Sequence, residues 1–367
     1  MPPAELLRRG EHTMTVCNSC RYCEQYCAVF PAMERRLTFT EADLAYLASL
    51  CHNCGECLYA CQYAPPHEFG IDVPRTMAEL RLHSYEEDCW PRPLARAFRR
   101  QGVLTGLALA AGFSAILVAA TARLNPWALW PGRTDAEFYA IVPHGVMVVL
   151  FGAVGGFVAL ALGVSIWRYW RRIAPRGTPA PTPRTFARAV GDALTLRHLH
   201  ASGPDCVSAE EARTPWRRWW HHATLGGFLL CFASTSVAAF YHAVFGWEAP
   251  HAYTSLPVLL GTAGGVGLAI GPAGQWWLRR RRDPALADPE QRGLDASLLL
   301  LLWLTSATGL LLLVLRTRAV MGPLLLVHLG VVLGLFVTLP YGKFVHGLYR
   351  LAALVKDAAE RDADRSV

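Results

Sequence analysis

The sequence predicts a mainly α-helical protein in two parts, a small cysteine-rich N-terminal module followed by a six-helix transmembrane bundle. Three observations predict it. Apolar residues make up 53% of the 367 positions and charged residues 17%, and the mean hydropathy is +0.25, a balance that a soluble domain does not need. Eight of the eleven cysteines fall between Cys17 and Cys61, with Cys89, Cys206 and Cys231 beyond them. Past residue 100, six apolar segments each reach the length of about 20 residues that a helix rising about 1.5 Å per residue needs to cross hydrocarbon.

Residues 1–100 are polar, charged and cysteine-rich, the size of a small domain whose fold a bound metal would organise. No apolar stretch of a secretory leader opens the chain, and Arg8-Arg9 is not followed by one. The cysteines are therefore expected in a reducing compartment, free of disulfides. The spans are read at Gly102 to Ala122, Ile141 to Trp167, Thr224 to Phe245, Ser255 to Leu278, Leu294 to Leu315 and Val320 to Pro340. Glycine sets within them, Gly152, Gly155 and Gly156 on the second and Gly261, Gly264 and Gly265 on the fourth, predict close helix packing.

Charge fixes the orientation. Arg96, Arg99 and Arg100 precede the first span, Arg168, Arg171, Arg172, Arg176, Arg217 and Arg218 flank the second-to-third connection, and Arg279 to Arg282 follow the fourth. Lys343, Arg350 and Lys356 follow the sixth, whereas the opposite loops hold only Arg123, Arg133, Arg316 and Arg318. The positive-inside rule then puts both termini, and the cysteine-rich module, in the cytoplasm of a bacterial inner membrane. The net charge of +7 is spread between apolar runs, so it reflects topology and no nucleic-acid partner is expected. The membrane part, residues 101–350, contains a cytoplasmic loop at about 168–220, and residues 351–367 form a cytoplasmic tail. That loop carries the Pro-rich run Thr178 to Pro183, then a short helix predicted over Arg184 to Leu199. It reads as a linker or as a docking surface, and Cys206 within it as a spare thiol without a spacing partner.

Cys17, Cys20, Cys23 and Cys27 form a C-x2-C-x2-C-x3-C run, and Cys51, Cys54, Cys57 and Cys61 repeat it. In the bacterial ferredoxin pattern, three closely spaced thiolates hold three corners of a cubane and the fourth reaches the other cluster. One 4Fe-4S cluster is therefore assigned to Cys17, Cys20, Cys23 and Cys61, and a second to Cys51, Cys54, Cys57 and Cys27, in a ferredoxin-like two-cluster α-helical module. Soft anionic sulfur at four corners is what iron–sulfur chemistry requires. Zinc, usually served by two CxxC pairs per ion, fits the two quartets less well. The runs depart from the ferredoxin pattern in ending on Ala28 and Gln62, with Pro31 and Pro65 displaced.

Ionisable groups within spans are costly and are functional candidates. His221 and His242 on the third span, and His328 and His346 on and just beyond the sixth, are candidate ligands of one or two b-type haems, with His144 the alternative to His242. His328 and His346 differ by 18 residues, about five turns, which would align them on one helix face about 27 Å apart. Antiparallel packing would then bring His221 to His346 at the cytoplasmic side and His242 to His328 at the outer side. The bland alternative is a set of interfacial or hydrogen-bonded core histidines. Tyr341 and Lys343, in the run Leu339 to Arg350, supply donors for a quinone head group or, equally, an interfacial anchoring belt.

The twin cysteine runs, the run GGFLLCFASTSVAAFYH after His221-His222, LPVLLGTAGGVGLAIGPAG and TLPYGKFVHGLYR together resemble the tricarballylate and citrate utilisation B proteins over nearly the whole chain. The membrane half is also similar to the b-haem anchors of the nitrate reductase gamma-subunit class, although the third-helix spacing differs. The resemblance implies a membrane-bound partner of a cytosolic FAD-dependent dehydrogenase that converts tricarballylate to cis-aconitate. The chain would accept the electrons of that enzyme's reduced flavin and deliver them through its clusters to membrane quinone. Two other readings stand beside this one: a transporter with an appended redox sensor, and a membrane anchor whose clusters are folding staples. No acid–base pair, activated nucleophile or phosphate loop is found in the sequence, so electron relay is the activity expected, exercised only with a partner.

Overall fold

The computed structural model describes residues 3–129, 138–199, 206–207, 213–281, 283, 286 and 290–365. The architecture is helical, apart from a two-residue antiparallel hairpin, β1 (Cys206–Val207) with β2 (Arg213–Thr214). Five helices build the N-terminal module: α1 (Pro3–Cys20), α2 (Val29–Glu34), α3 (Glu41–Leu50), α4 (Glu56–Tyr59) and α5 (Val73–Asp88). The centre of the module is α3, buried from Leu44 through Leu50, against Met14, Met33 and Met77. Its start is set by a capping box, in which the Thr40 hydroxyl accepts from the Asp43 amide and the Asp43 carboxylate accepts from the Thr40 amide.

A short basic helix, α6 (Arg92–Arg100), leads into the bundle of α7 (Gly102–Leu124), α9 (His144–Ile173), α11 (Trp216–Phe245), α12 (Leu256–Arg281), α13 (Gln291–Leu315) and α14 (Met321–Thr338), with the single turn α8 (Phe138–Ile141) before α9. All six are long and apolar enough to cross a membrane. Large apolar side chains such as Ile116, Val149 and Phe232 stand exposed on them, as a hydrocarbon-facing surface requires. The chain is thus a membrane protein. Of the cationic positions used for orientation, Arg133 and Arg282 lie outside the described residues.

Small residues set the tightest seams. A Cβ on Gly264 of α12 would lie 2.7 Å from the Cys231 amide nitrogen of α11, and one on Gly227 of α11 would lie 2.7 Å from that of Leu268. Gly334 of α14 is in similar contact with Ala110 of α7. The α12 glycines thus pack as expected. The Gly152, Gly155 and Gly156 set of α9 does not, since a Cβ there would meet nothing within 4 Å, so this face opens onto space.

The last helix differs most from expectation. The sixth span stops at Thr338, where Pro340 removes a backbone donor and the amides of Tyr341 and Gly342 both turn back onto the Thr338 carbonyl, at 3.1 and 2.9 Å. A new helix, α15 (Val345–Asp364), then leaves the bundle and docks on the N-terminal module. Residues 351–367 were expected as a tail, but Ala353, Leu354 and Ala358 are buried. Tyr349 is wedged between Tyr85 and Tyr169, with ring centres 4.8 and 4.6 Å away. Arg35 pairs with Asp357, and Arg36 reaches Asp43 at 2.7 Å and Glu360 at 2.9 Å. The loop helix α10 (Pro183–Leu194) packs beside α15 through Arg188 and Asp362, 2.6 Å apart.

Candidate cluster and histidine sites

The eight cysteines occupy two turns at the ends of helices. Cys17 and Cys20 end α1, Cys23 and Cys27 line the turn before α2, Cys51 caps α3, Cys54 and Cys57 flank the start of α4, and Cys61 follows it. The second turn is tight because Asn53 and Gly55 both have positive φ, 55° and 95°. A Cβ on Gly55 would also strike Leu286, at 2.6 Å. Inside the turn the Asn53 amide donates to the Cys51 sulfur at 3.3 Å, the kind of N–H···S bond that tunes a sulfur-ligated centre.

The thiols gather in two sets. Burial, then the neighbouring thiols of Cys61, Cys23 and Cys20, push Cys17 up to about 12. Burial and the thiols of Cys61 and Cys20 do the same to Cys23. Burial, with Cys54, Cys51 and Cys27 beside it, raises Cys57 well above the ordinary thiol range, and Cys27 is raised by burial with Cys54 and Cys51. Each fourth cysteine thus stands with the other run's first three. Thiols this crowded and buried ionise together only against a strong positive charge, which the irons of a cluster provide, so the donor set fits the group. Among the described residues no three His, Cys, Asp or Glu side chains close to the spacing of a single metal ion. A cubane, with one thiolate on each corner iron, spreads its four sulfurs more widely than an ion does.

Three arginines from three helices hold the backbone of the second turn. Arg81 of α5 donates to the carbonyls of Ala48 at 2.9 Å and Cys51 at 2.7 Å. Arg350 of α15 donates to Leu50 at 2.7 Å and Ser49 at 3.3 Å, and meets the His52 ring. Arg217 of α11 donates to His52 at 2.7 Å and Asn53 at 3.1 Å. Burial and the neighbouring Arg81 lower Arg350 to about 10, which leaves it a cation at neutral pH. None of the three is singled out from the sequence as a site residue: Arg217 and Arg350 read there as topology charges, and Arg81 carries no signal of its own. Only the fold brings them to one turn.

The histidines form two groups and an outlier. His221 and His346 face each other with ring centres 5.9 Å apart and planes at 68°. His346 Nδ1 donates to the Lys343 carbonyl, leaving Nε2 free, and burial with the Lys343 ammonium lowers it to about 4, so it is the neutral imidazole that binds metal. Two imidazoles that share a metal hold their ring centres well beyond stacking distance, and the 5.9 Å separation leaves room for one between these rings. His242 meets His144, not His328. Their rings are stacked at 3.7 Å against Tyr139, which leaves no room for an iron between them, and this pair does not fit a haem. His328 accompanies Thr308 of α13, Nδ1 to Oγ1 at 2.9 Å. Because the Thr308 hydroxyl donates to the Leu304 carbonyl, the histidine is the donor. The expected five-turn alignment of His328 with His346 fails at the break after Thr338. His222 is turned away from the inner pair, onto the Leu194 carbonyl at 3.1 Å.

Tyr341 and Lys343 lie in that break. Among the described residues the buried Tyr341 hydroxyl has no hydrogen-bond partner, and it lies at one wall of a cavity of about 30 Å³ shared with Cys89, Gln291 and Lys343. That volume holds about one water and no quinone ring. Lys343 is committed to Gln291 and to Asp295 at 3.2 Å, and Asp295 also holds Arg279 at 2.8 Å.

Residues 97–367 match the family described as citrate utilization protein B, and residues 10–87 match the Fer4-like domain of that protein. The curated citrate utilization protein B of Escherichia coli is 48% identical over 361 residues, covering 98% of this chain and 93% of that protein. No solved structure matches.

Proposed function

The chain belongs to the citrate utilization protein B family, and from that premise we propose that it is a membrane-bound electron relay. It accepts electrons from a reduced cytosolic flavoenzyme, a dehydrogenase of tricarballylate or a related tricarboxylate, and delivers them to quinone. Two bound 4Fe-4S clusters supply one-electron storage, held by Cys17, Cys20, Cys23 and Cys61 and by Cys51, Cys54, Cys57 and Cys27. His221 and His346 hold a b-type haem at the inner face of the membrane.

One observation carries this reading. Arg217 and Arg350, which grip the second cysteine turn, each lie four residues from a histidine of the inner pair, on the same face of the same helix. The arginines that hold the cysteine turn and the histidines of the pair are therefore about one helical turn apart, roughly 5 to 6 Å along each helix axis, so that the pair is the next group along both helices from the second turn. Cys54 and Cys27 bind, Arg217 and Arg350 orient, and the packed aromatic side chains of Tyr85, Tyr169 and Tyr349 exclude water beside them. The N-terminal module and α15 share one core, which supports both termini lying on the same, cytoplasmic side.

The test is anaerobic purification with iron and sulfide analysis, followed by turnover with a reduced flavoenzyme and a quinone analogue. About eight irons per chain are expected, with Cys54→Ser and Cys20→Ser abolishing quinone reduction while membrane insertion persists. Unchanged turnover in both variants would end the proposal.

A further inference from the structure

The relay has two cluster sites, and their surroundings are not equivalent. The carbonyls of Ser49, Leu50, Cys51, His52 and Asn53 all receive guanidinium donors, from Arg81, Arg350 and Arg217, which belong to three separate helices. Arg81 is 8% exposed, and the contacts of the other two are part-buried. On the first turn, among the described residues, the guanidinium bonded to the backbone is that of Arg21, exposed and donating to Asn18 at 3.2 Å. A cation screened by solvent acts weakly, whereas one held in low dielectric acts strongly. Adding an electron to a cluster adds a negative charge, and a buried cation beside it favours the reduced form.

We infer that Arg81, Arg217 and Arg350 are positioning residues that set the cluster of Cys51, Cys54, Cys57 and Cys27 at a higher reduction potential than that of Cys17, Cys20, Cys23 and Cys61. This rests on the relay reading above and adds a direction to it. The first site is the point of entry for an electron from the reduced flavin. One electron then leaves the first site, oxidising it, and reduces the second by the same count, with no proton required. The exit site would be the one whose Arg217 and Arg350 stand on the same helices as His221 and His346, four residues away. The arginines act through charge and backbone grip and touch no substrate.

The experiment is a potentiometric titration of the full chain in detergent, followed by paramagnetic resonance, with iron and sulfide content measured on each sample. Two midpoints are expected in the unaltered protein. Arg217→Gln and Arg350→Gln each lower the higher midpoint by about a tenfold change in the one-electron equilibrium, about 59 mV, and leave the lower midpoint in place. Arg217→Lys and Arg350→Lys, which keep the charge, recover most of the shift; a purely structural arginine would not distinguish lysine from glutamine in this way. Should Arg350→Gln lose its iron, Arg217→Gln, at the head of a membrane helix, decides alone. Full iron content with both midpoints unmoved, or with only the lower one moved, overturns the inference and leaves the relay standing. An unaltered chain with no reducible cluster overturns both.

Discussion

At the scale of single residues, two histidines on either side of the same helix break have different partners: His346 meets the ring of His221, whereas His328 bonds the Thr308 hydroxyl. The eight thiols are legible because metal-ligand spacing is local, and nothing distant is needed to recognise C-x2-C-x2-C-x3-C. The inner histidines are partly legible: helical phase and antiparallel packing bring His221 to His346, and the structure places their rings 5.9 Å apart. The same phase argument fails for His328, because it presumes one helix across Pro340. With Nδ1 committed to Thr308 and no imidazole facing it among the described residues, His328 is a half-buried histidine satisfied by its neighbour. His346→Ala is therefore expected to remove most of the reduced b-type absorbance of purified protein, and His328→Ala to leave it within about 20% of its original intensity. Equal losses in the two variants would contradict the assignment. Arg81, Arg217 and Arg350 were legible only as charges, because what they grip is backbone, which carries no sequence signature.

At the scale of elements, hydropathy located all six spans, but it says nothing about which face of a span meets a neighbour. Two glycine-rich stretches that look alike in sequence behave oppositely. The α12 face closes on α11 so tightly that a Cβ on Gly264 would fall 2.7 Å from backbone nitrogen, while Gly155 of α9 has open space before it. Gly264→Val is expected to force the two helices apart at a cost of about 1–3 kcal/mol or more, and Gly155→Ala to change stability by no more than about 1 kcal/mol, in the direction set by helix propensity. Thermal unfolding in detergent, followed by size-exclusion fluorescence, checks the pair. If both variants melt alike, the seam is misplaced. The loop helix falls at Pro183–Leu194 where Arg184 to Leu199 was read, its start fixed by the Thr182 and Thr185 capping pair. Its end, by contrast, is set by Leu196 at a positive φ of 51°, after which a 3-10 turn runs over Arg197–Leu199, a break that periodicity does not mark.

At the scale of the whole molecule, the two parts read from composition are less separate than composition suggests. The boundary near residue 100 is where hydropathy changes, yet the core of the N-terminal module continues into Tyr169 and Ile173 of α9 and into Tyr349, Ala353 and Leu354 of α15. Amphipathic helices joined to a membrane span leave no linear mark of where they dock, so the tail reading was the natural one for a charged C-terminus. A chain ending after Phe344 keeps every cysteine and every span. It is nevertheless expected to lose the Arg35–Asp357 pair and the aromatic stack that tie α15 to the module. The measurement is iron content per chain in membranes containing the truncated protein, with content equal to that of the full chain counting against the shared core.

The docking of α15 also has a consequence in time. A ribosome delivers the eight cysteines first, and nascent domains ordinarily fold as soon as they emerge. Here α15, which closes one wall of the module, follows the cysteines and all six hydrophobic segments along the chain, so it is made after them. The cysteine turns are therefore expected to stay incompletely sheltered until α15 has been made and has docked. The same order ties closure of the module to prior synthesis of the six spans, so that a product truncated ahead of α15 would enter the bilayer with its cysteine turns still open.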